Sequence, residues 1–203
     1  MATYSTIKGL TVQSLSSDPP TSTATIGQVW YNTTTGTLKG FGVQGTGAWA
    51  SGGALNTARY GIVGTGTQTA AIAYGGYTAP PNTYRDETET YDGTSWTEVG
   101  DMNTTAWLRG RAGTQTAALA SGGGTPPDNR TANSETWNGT SWTEGNNLNT
   151  ARTIGSGGGT STAALAIGGY TADPGAARVA IVEKWNGTSW TEVGNINTVR
   201  DAM

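Results

Sequence analysis

The chain has 203 residues, of which 32 are glycine and only 12% are charged, with a formal net charge of −3. That composition favours short strands joined by tight turns over helices, and without a Lys/Arg cluster it argues against a phosphate-binding surface for nucleic acid or an anionic membrane. Cysteine and histidine are both absent, which removes disulfides, thiolate and imidazole chemistry and the usual zinc and copper ligands, so no catalytic residue, cofactor or metal site is expected.

Residues 1–25 lack the basic start and unbroken apolar run of a secretory leader, and they carry Asp18-Pro19-Pro20 before a Ser/Thr run. They read as an extended N-terminal arm or anchor. No apolar stretch approaches the roughly 20 residues of a membrane span. Residues 26–54, with VWYN, LKGFGV and GAWAS, read as a β-hairpin adaptor or the outer strands of a partial repeat.

From there the chain repeats itself. The phrases GAWASGGALNTAR, TSWTEVGDMNTTA, TSWTEGNNLNTAR and TSWTEVGNINTVR recur every 46 to 48 residues. Trp49, Trp96, Trp142 and Trp190 each lie seven residues before an asparagine (Asn56, Asn103, Asn149, Asn197). The first three asparagines each lie 19 residues before a Gly-Gly pair, at Gly75, Gly122 and Gly168. Only the stretch from that glycine to the next tryptophan varies, at 21, 20 and 22 residues. Every insertion therefore falls in one surface loop per repeat, where prolines forbid a regular central strand. Three complete four-stranded repeats are expected over 55–100, 101–146 and 147–194, with 195–203 beginning a further one.

In the first repeat the strand candidates are RYGIVGTG, TQTAAIAYGG, ETETYDG and SWTEVG. Asp92-Gly93, Asn138-Gly139 and Asn186-Gly187 between the last two predict a tight hairpin of two or four loop residues. Either loop puts Tyr91 and Trp96, Trp137 and Trp142, and Trp185 and Trp190 on one sheet face as packed pairs. The alanine-rich second strands suit the inner, crowded position of a radial assembly.

An apolar strand ending in Gly-Gly, an aromatic on the third strand, a tryptophan five residues later and a period near 47 resemble the Kelch repeat, whose period is about 50. The resemblance covers residues 49–200 and implies a β-propeller of four-stranded blades. It is looser where Ala106 stands in place of Arg59 and Arg152. The wording GTQTAALA, WNGTSWTEV and LNTAR after SSDPP and GQVWYNTTTGTLKGF is similar to virion structural proteins of marine tailed bacteriophages. That likeness implies a virion location, a tail-fibre or appendage role, and an N-terminal arm that binds other virion proteins. A capsid (head) decoration protein is the alternative, and a Kelch-type carbohydrate-active enzyme a remoter one. Three blades plus a partial one cannot close a ring. The chain therefore reads as a fragment of a larger propeller, as a homo-oligomer closing between subunits, or as an open stack, the first being favoured.

The densest carboxylates, Asp86, Glu87 and Glu89, and the others at Asp128, Glu135, Asp173 and Glu183, read as solvated loop charge at unmatched spacing. GTGTQT and GSGGGT lack a P-loop lysine and read as turn glycines. What remains is recognition. The variable loops carry Tyr77, Tyr84, Arg85, Asn129, Arg130, Tyr170 and Arg178, a mixture suited to contact with a host-surface glycan or receptor or with another virion protein.

Overall fold

The computed structural model describes residues 12–20, 29–40, 51–127, 129–154, 156–171 and 177–199, and the chain divides into two compact bodies, Met1–Ala50 and Ser51–Met203. Among the described residues every regular element is a β-strand, as the glycine-rich, weakly charged composition requires.

In the N-terminal body, Gln13–Leu15 (β1) pairs in parallel with Val29–Asn32 (β2), which turns through 33–36 into antiparallel Thr37–Gly40 (β3). Asn32 shapes the turn by accepting the N–H groups of Thr34 and Thr35 on its side-chain oxygen, both at 3.0 Å. Asp18 holds the sheet from one side, accepting Lys39 Nζ at 2.8 Å, Asn32 Nδ2 at 2.7 Å and Trp30 Nε1 at 3.1 Å. The hydrogen bonds from Lys39 and Asn32 keep its carboxyl below the usual carboxylate range. The segment read as an arm thus supplies a strand and a binding carboxylate. The three residues of β1, Gln13, Ser14 and Leu15, pair with Trp30, Tyr31 and Asn32 along one edge of β2. Residues 47–50 of the GAWAS segment lie outside the described residues.

Among the described residues, the second body contains three antiparallel sheets of four strands. The first is Val63–Thr67 (β4), Ala70–Tyr74 (β5), Thr88–Tyr91 (β8) and Trp96–Val99 (β9), in that order, and Tyr77–Thr78 (β6) and Thr83–Tyr84 (β7) form a separate two-stranded hairpin between β5 and β8. The second repeats this with Gly110–Gly113 (β10), Ala118–Ser121 (β11), Ser134–Trp137 (β14) and Trp142–Gly145 (β15), and with Gly124–Thr125 (β12) and Asn129–Arg130 (β13) as its small hairpin. The third is Ser156–Gly159 (β16), Ala164–Ile167 (β17), Val182–Trp185 (β18) and Trp190–Val193 (β19). Its variable loop is tied by a bridge between Tyr170 and Arg178. All length variation does fall in these loops.

The last two strands of each repeat are joined by a four-residue loop, because Tyr91 pairs with Trp96, Trp137 with Trp142 and Trp185 with Trp190. Asp92 accepts the N–H groups of Thr94 and Ser95 at 2.8 Å each, and Asn138 and Asn186 do the same in their repeats. The following glycine takes φ near 95°, at 97°, 96° and 94°. A side chain there would be strained, which is why Asx-Gly recurs. The paired rings lie 5.0, 5.4 and 5.3 Å apart.

The core lies between repeats rather than within one. On β5, Ile72 and Tyr74 project forward onto Ala118, Ala120, Trp137 and Trp142 of the second repeat. On β11, Leu119 projects onto Ala164, Ala166, Trp185 and Trp190 of the third. The period-2 alternation of Ala-Leu-Ala gives each second strand a large forward residue and a small rear face, so that each repeat's knob fits the next repeat's hollow. Burying each such Ile or Leu stabilises by about 1.5–3 kcal/mol. Across the same interface Trp142 Nε1 donates to Thr88 Oγ1 at 2.8 Å and Trp190 Nε1 to Ser134 Oγ at 2.9 Å.

Convergence occurs one strand earlier than the alanine pattern suggested. β10 lies beside β4 and β16. Thr65 Oγ1 donates to the Gly113 carbonyl at 2.7 Å, and a Cβ on Gly157 would stand 3.1 Å from the backbone of Arg111. Gly157 therefore admits the backbone of the preceding repeat, while the alanine strand β11 is squeezed between flanking repeats.

Each repeat is pinned by a buried carboxylate on its third strand. Glu89, Glu135 and Glu183, expected as solvated charges at unmatched spacing, are all buried and occupy one position, two residues before the strand's aromatic. Each accepts the backbone N–H and the Nδ2 of the repeat asparagine, at 2.8 and 3.0 Å from Asn56, 2.7 and 3.1 Å from Asn103, and 2.7 Å twice from Asn149. Each also holds an arginine: Arg59 Nη2 at 2.6 Å, Arg109 Nη1 at 3.0 Å and Arg152 Nη1 at 2.5 Å. Arg109 fills the place left by Ala106 from three residues further on. Its guanidinium donates to the Asn133 carbonyl at 3.1 Å, the equivalent of the Glu87 carbonyl bound by Arg59 at 2.8 Å. Burial lowers the Arg109 pKa from its ordinary value, and the adjacent Glu135 opposes that shift.

The Gly-Gly pairs lie where the next repeat crosses. Gly76 N donates to the Ala106 carbonyl at 3.0 Å and Gly123 N to the Arg152 carbonyl at 2.9 Å. With Gly122 at φ 59° a Cβ there would sit 2.5 Å from the Arg152 oxygen, so only glycine fits.

Candidate contact surface on the variable loops

The residue directly after the repeat's Arg59, Ala106 or Arg152 bridges to the residue directly after Gly-Gly, pairing Tyr60 with Tyr77, Trp107 with Gly124 and Thr153 with Tyr170. These bridges tie the base of each variable loop to the segment entering the same repeat, and hydrogen bonds from Leu108 N to the Gly61 carbonyl and from Ile154 N to the Leu108 carbonyl set those segments side by side. Gly124 is small because the Trp107 ring lies over it: a Cβ there would meet the indole at 2.6 Å.

The result is a run of rings that crosses all three repeats. Tyr60 and Tyr77 lie 5.7 Å apart, and Tyr77 pairs with Tyr84 across β6 and β7 at 6.1 Å. Tyr84 stacks on Trp107 of the second repeat at 4.8 Å, with the planes 24° apart. Tyr77 meets the same indole edge-on at 5.9 Å. The Tyr84 hydroxyl then reaches the Pro127 carbonyl of the second loop at 3.3 Å. Arg130, on β13, lies 6.0 Å from the Trp107 ring and 5.6 Å from the Tyr170 ring of the third repeat, bridging the two by cation–π contact.

Of the residues expected on this surface, Tyr77, Tyr84, Arg130 and Tyr170 belong to the run. Asn129 is exposed at its edge, its carbonyl accepting Arg130 Nη1 at 3.1 Å. Arg178 is exposed, and its backbone bridges Tyr170. Arg85 is turned to Glu87, which it binds at 2.9 Å, and its own N–H donates to the Gly76 carbonyl. Asp128 and Asp173 lie outside the described residues. Tyr60 and Trp107 were not anticipated. Their signal was positional, since both follow the asparagine by four residues, beside the one repeat position where arginine and alanine alternate.

The surface joins half-buried faces, which hold the rings in place, to the open ring of Tyr60, 61% exposed. Fixed aromatics with a guanidinium among them can stack on a partner's apolar faces and donate hydrogen bonds at little cost in side-chain entropy. Two of the first repeat's carboxylates are engaged in ion pairs, Glu89 with Arg59 and Glu87 with Arg85. A scan against protein-family models finds no match to this chain, and a search of curated proteins finds none either.

Proposed function

We propose that the chain is a structural and adhesive virion protein of the tail-fibre or appendage kind, in which Kelch-like propeller blades form the scaffold and the variable loops form the contact surface. The propeller reading is supported by three like four-stranded sheets in series, packed face to face and aligned along their glycine-rich first strands. The adhesive reading rests on one observation: loops free to vary in length nonetheless join their side chains into a single aromatic and arginine surface spanning three repeats. A scaffold alone has no use for that continuity, because the cores between repeats are already filled.

The test is made on particles. Mass spectrometry of purified virions detects the chain, and its absence from them refutes the virion assignment. Particles carrying Trp107→Ala with Arg130→Ala assemble normally yet adsorb to host cells at least about tenfold more slowly, the loss expected on removing two central contact residues. Unchanged adsorption by such particles refutes the adhesive role of this surface.

A further inference from the structure

Among the described residues, the forward face of the third repeat presents exposed apolar side chains beside Lys184. Its central Leu165 is 41% exposed, whereas the equivalent Ile72 and Leu119 are 0% and 1% exposed beneath the next repeat. Val193 on the same face is also open, and a hollow of about 480 Å³ lined by Gly158, Ala164, Leu165, Lys184 and Trp185 adjoins it. The interfaces within the chain show what covers such a face: two alanines of a second strand flanked by an aromatic pair.

Among the described residues, one rear face of that kind is left partly open. In the first repeat, Ala71 with Tyr91 and Trp96 occupies the positions of Ala118 with Trp137 and Trp142, and these three are half-exposed where their counterparts are buried. The polar chemistry matches as well. Trp142 and Trp190 donate their indole N–H to a hydroxyl on the preceding repeat, Thr88 or Ser134. On the third repeat that position is Val182, which accepts nothing. Trp96 needs no such acceptor, because its Nε1 already donates to the Gly53 carbonyl at 3.0 Å. A repeat of the Trp142 kind would bury an unsatisfied indole N–H on Val182, whereas the first repeat would not.

We infer that a second copy of this chain docks the rear face of its first repeat, through Ala71, Tyr91 and Trp96, onto the forward face of the third, over Leu165, Val182 and Val193. The contact continues the interface between consecutive repeats from one molecule into the next. It is heterologous, so copies join head to tail and form a ring or a filament according to the angle between them.

The experiment uses the 203-residue chain and two blocked variants, Leu165→Glu on the forward face and Ala71→Glu on the rear. Sedimentation velocity over roughly 1–100 µM, the range in which an interface of ordinary size self-associates, finds oligomers for the parent chain. Each variant alone sediments as a monomer with the parent's circular-dichroism spectrum. An equimolar mixture forms heterodimers and nothing larger, since one sound interface remains. A monomeric parent overturns the inference, as do oligomers of either variant alone or a mixture that fails to pair. Should either glutamate variant unfold, Leu165→Ser or Ala71→Ser replaces it and is read by the same criteria.

Discussion

Replacing Arg109 with isoleucine tests whether the second repeat solves the same electrostatic problem as its neighbours from a different position. Arg109 and Glu135 are both fully buried as side chains, with Nη1 3.0 Å from the carboxylate. Removing one partner of a buried pair costs about 3–5 kcal/mol, because it strands a charge out of water. Here Glu135 keeps the N–H groups of Asn103 and Thr104 and the Asn103 side chain, which places the loss near the lower end, about 3 kcal/mol. At roughly 2–4 °C per kcal/mol for a body of this size, the thermal midpoint falls by about 6–12 °C. The decisive step is the second substitution. Residues 106 and 109 are Ala and Arg where the first repeat has Arg59 and Ile62, and Arg59 reaches the equivalent carboxylate and the equivalent carbonyl from the earlier position. Adding Ala106→Arg to Arg109→Ile therefore rebuilds the first repeat's arrangement and recovers most of the lost stability, as read by thermal and denaturant unfolding. A double variant less stable than Arg109→Ile alone would show that the two positions are not interchangeable routes to one site, and the reasoning would fail.

Gly122→Ala forces a left-handed residue to carry a Cβ against the Arg152 carbonyl. Left-handed strain and overpacking together cost about 2–4 kcal/mol, while Gly194→Ala, with no atom within 4 Å of its Cβ, changes stability by no more than about 0.5 kcal/mol; equal effects in denaturant unfolding would refute the crossing argument. Acid acts through Glu183, whose carboxyl burial would raise but the Asn149 N–H, the Arg152 guanidinium and the Asn149 side chain together hold below its ordinary value of 4.5. A carboxyl lowered by folding contributes its stability in full above the unfolded value and loses it as pH falls through the folded one. The chain therefore weakens progressively below about pH 4.5, and Glu183→Gln, less stable at pH 7, shows a flatter acid limb in unfolding experiments; an unaltered limb would count against this pair as the pH-sensitive element.

Local chemistry made the hairpins legible in the sequence. Asx-Gly fixes a turn within four residues, and the alternation of side chains then puts Tyr91 beside Trp96 whatever the rest of the chain does. The confinement of length changes to one loop was legible for a similar reason: an insertion is tolerated only where no neighbour's backbone is bonded, and the small hairpins β6–β7 and β12–β13 lie outside the four-stranded ladders. Partners distant in sequence were not legible. The carboxylates looked like loop charge because their arginine and asparagine partners lie 26 to 34 residues away, and nothing local distinguishes a buried glutamate from a solvated one.

Ala106 shows why a repeat's weakest match can mark its most constrained site. Comparing phrases position by position finds an arginine missing and suggests a lost interaction. In space the guanidinium is present, delivered from residue 109 along a stem that passes Gly123, where a Cβ would stand 2.7 Å from Arg109 Cγ. The buried Glu135 demands a cation, yet it does not specify which residue brings it. The same rerouting has a consequence at the surface. With the arginine moved to position 109, Trp107 lies over Gly124 and is packed by Tyr84 and Arg130. The double variant that restores the first repeat's core arrangement therefore also reports on the contact surface: if the two are coupled, the stacking of Tyr84 on Trp107, followed by near-ultraviolet circular dichroism, changes even where stability recovers.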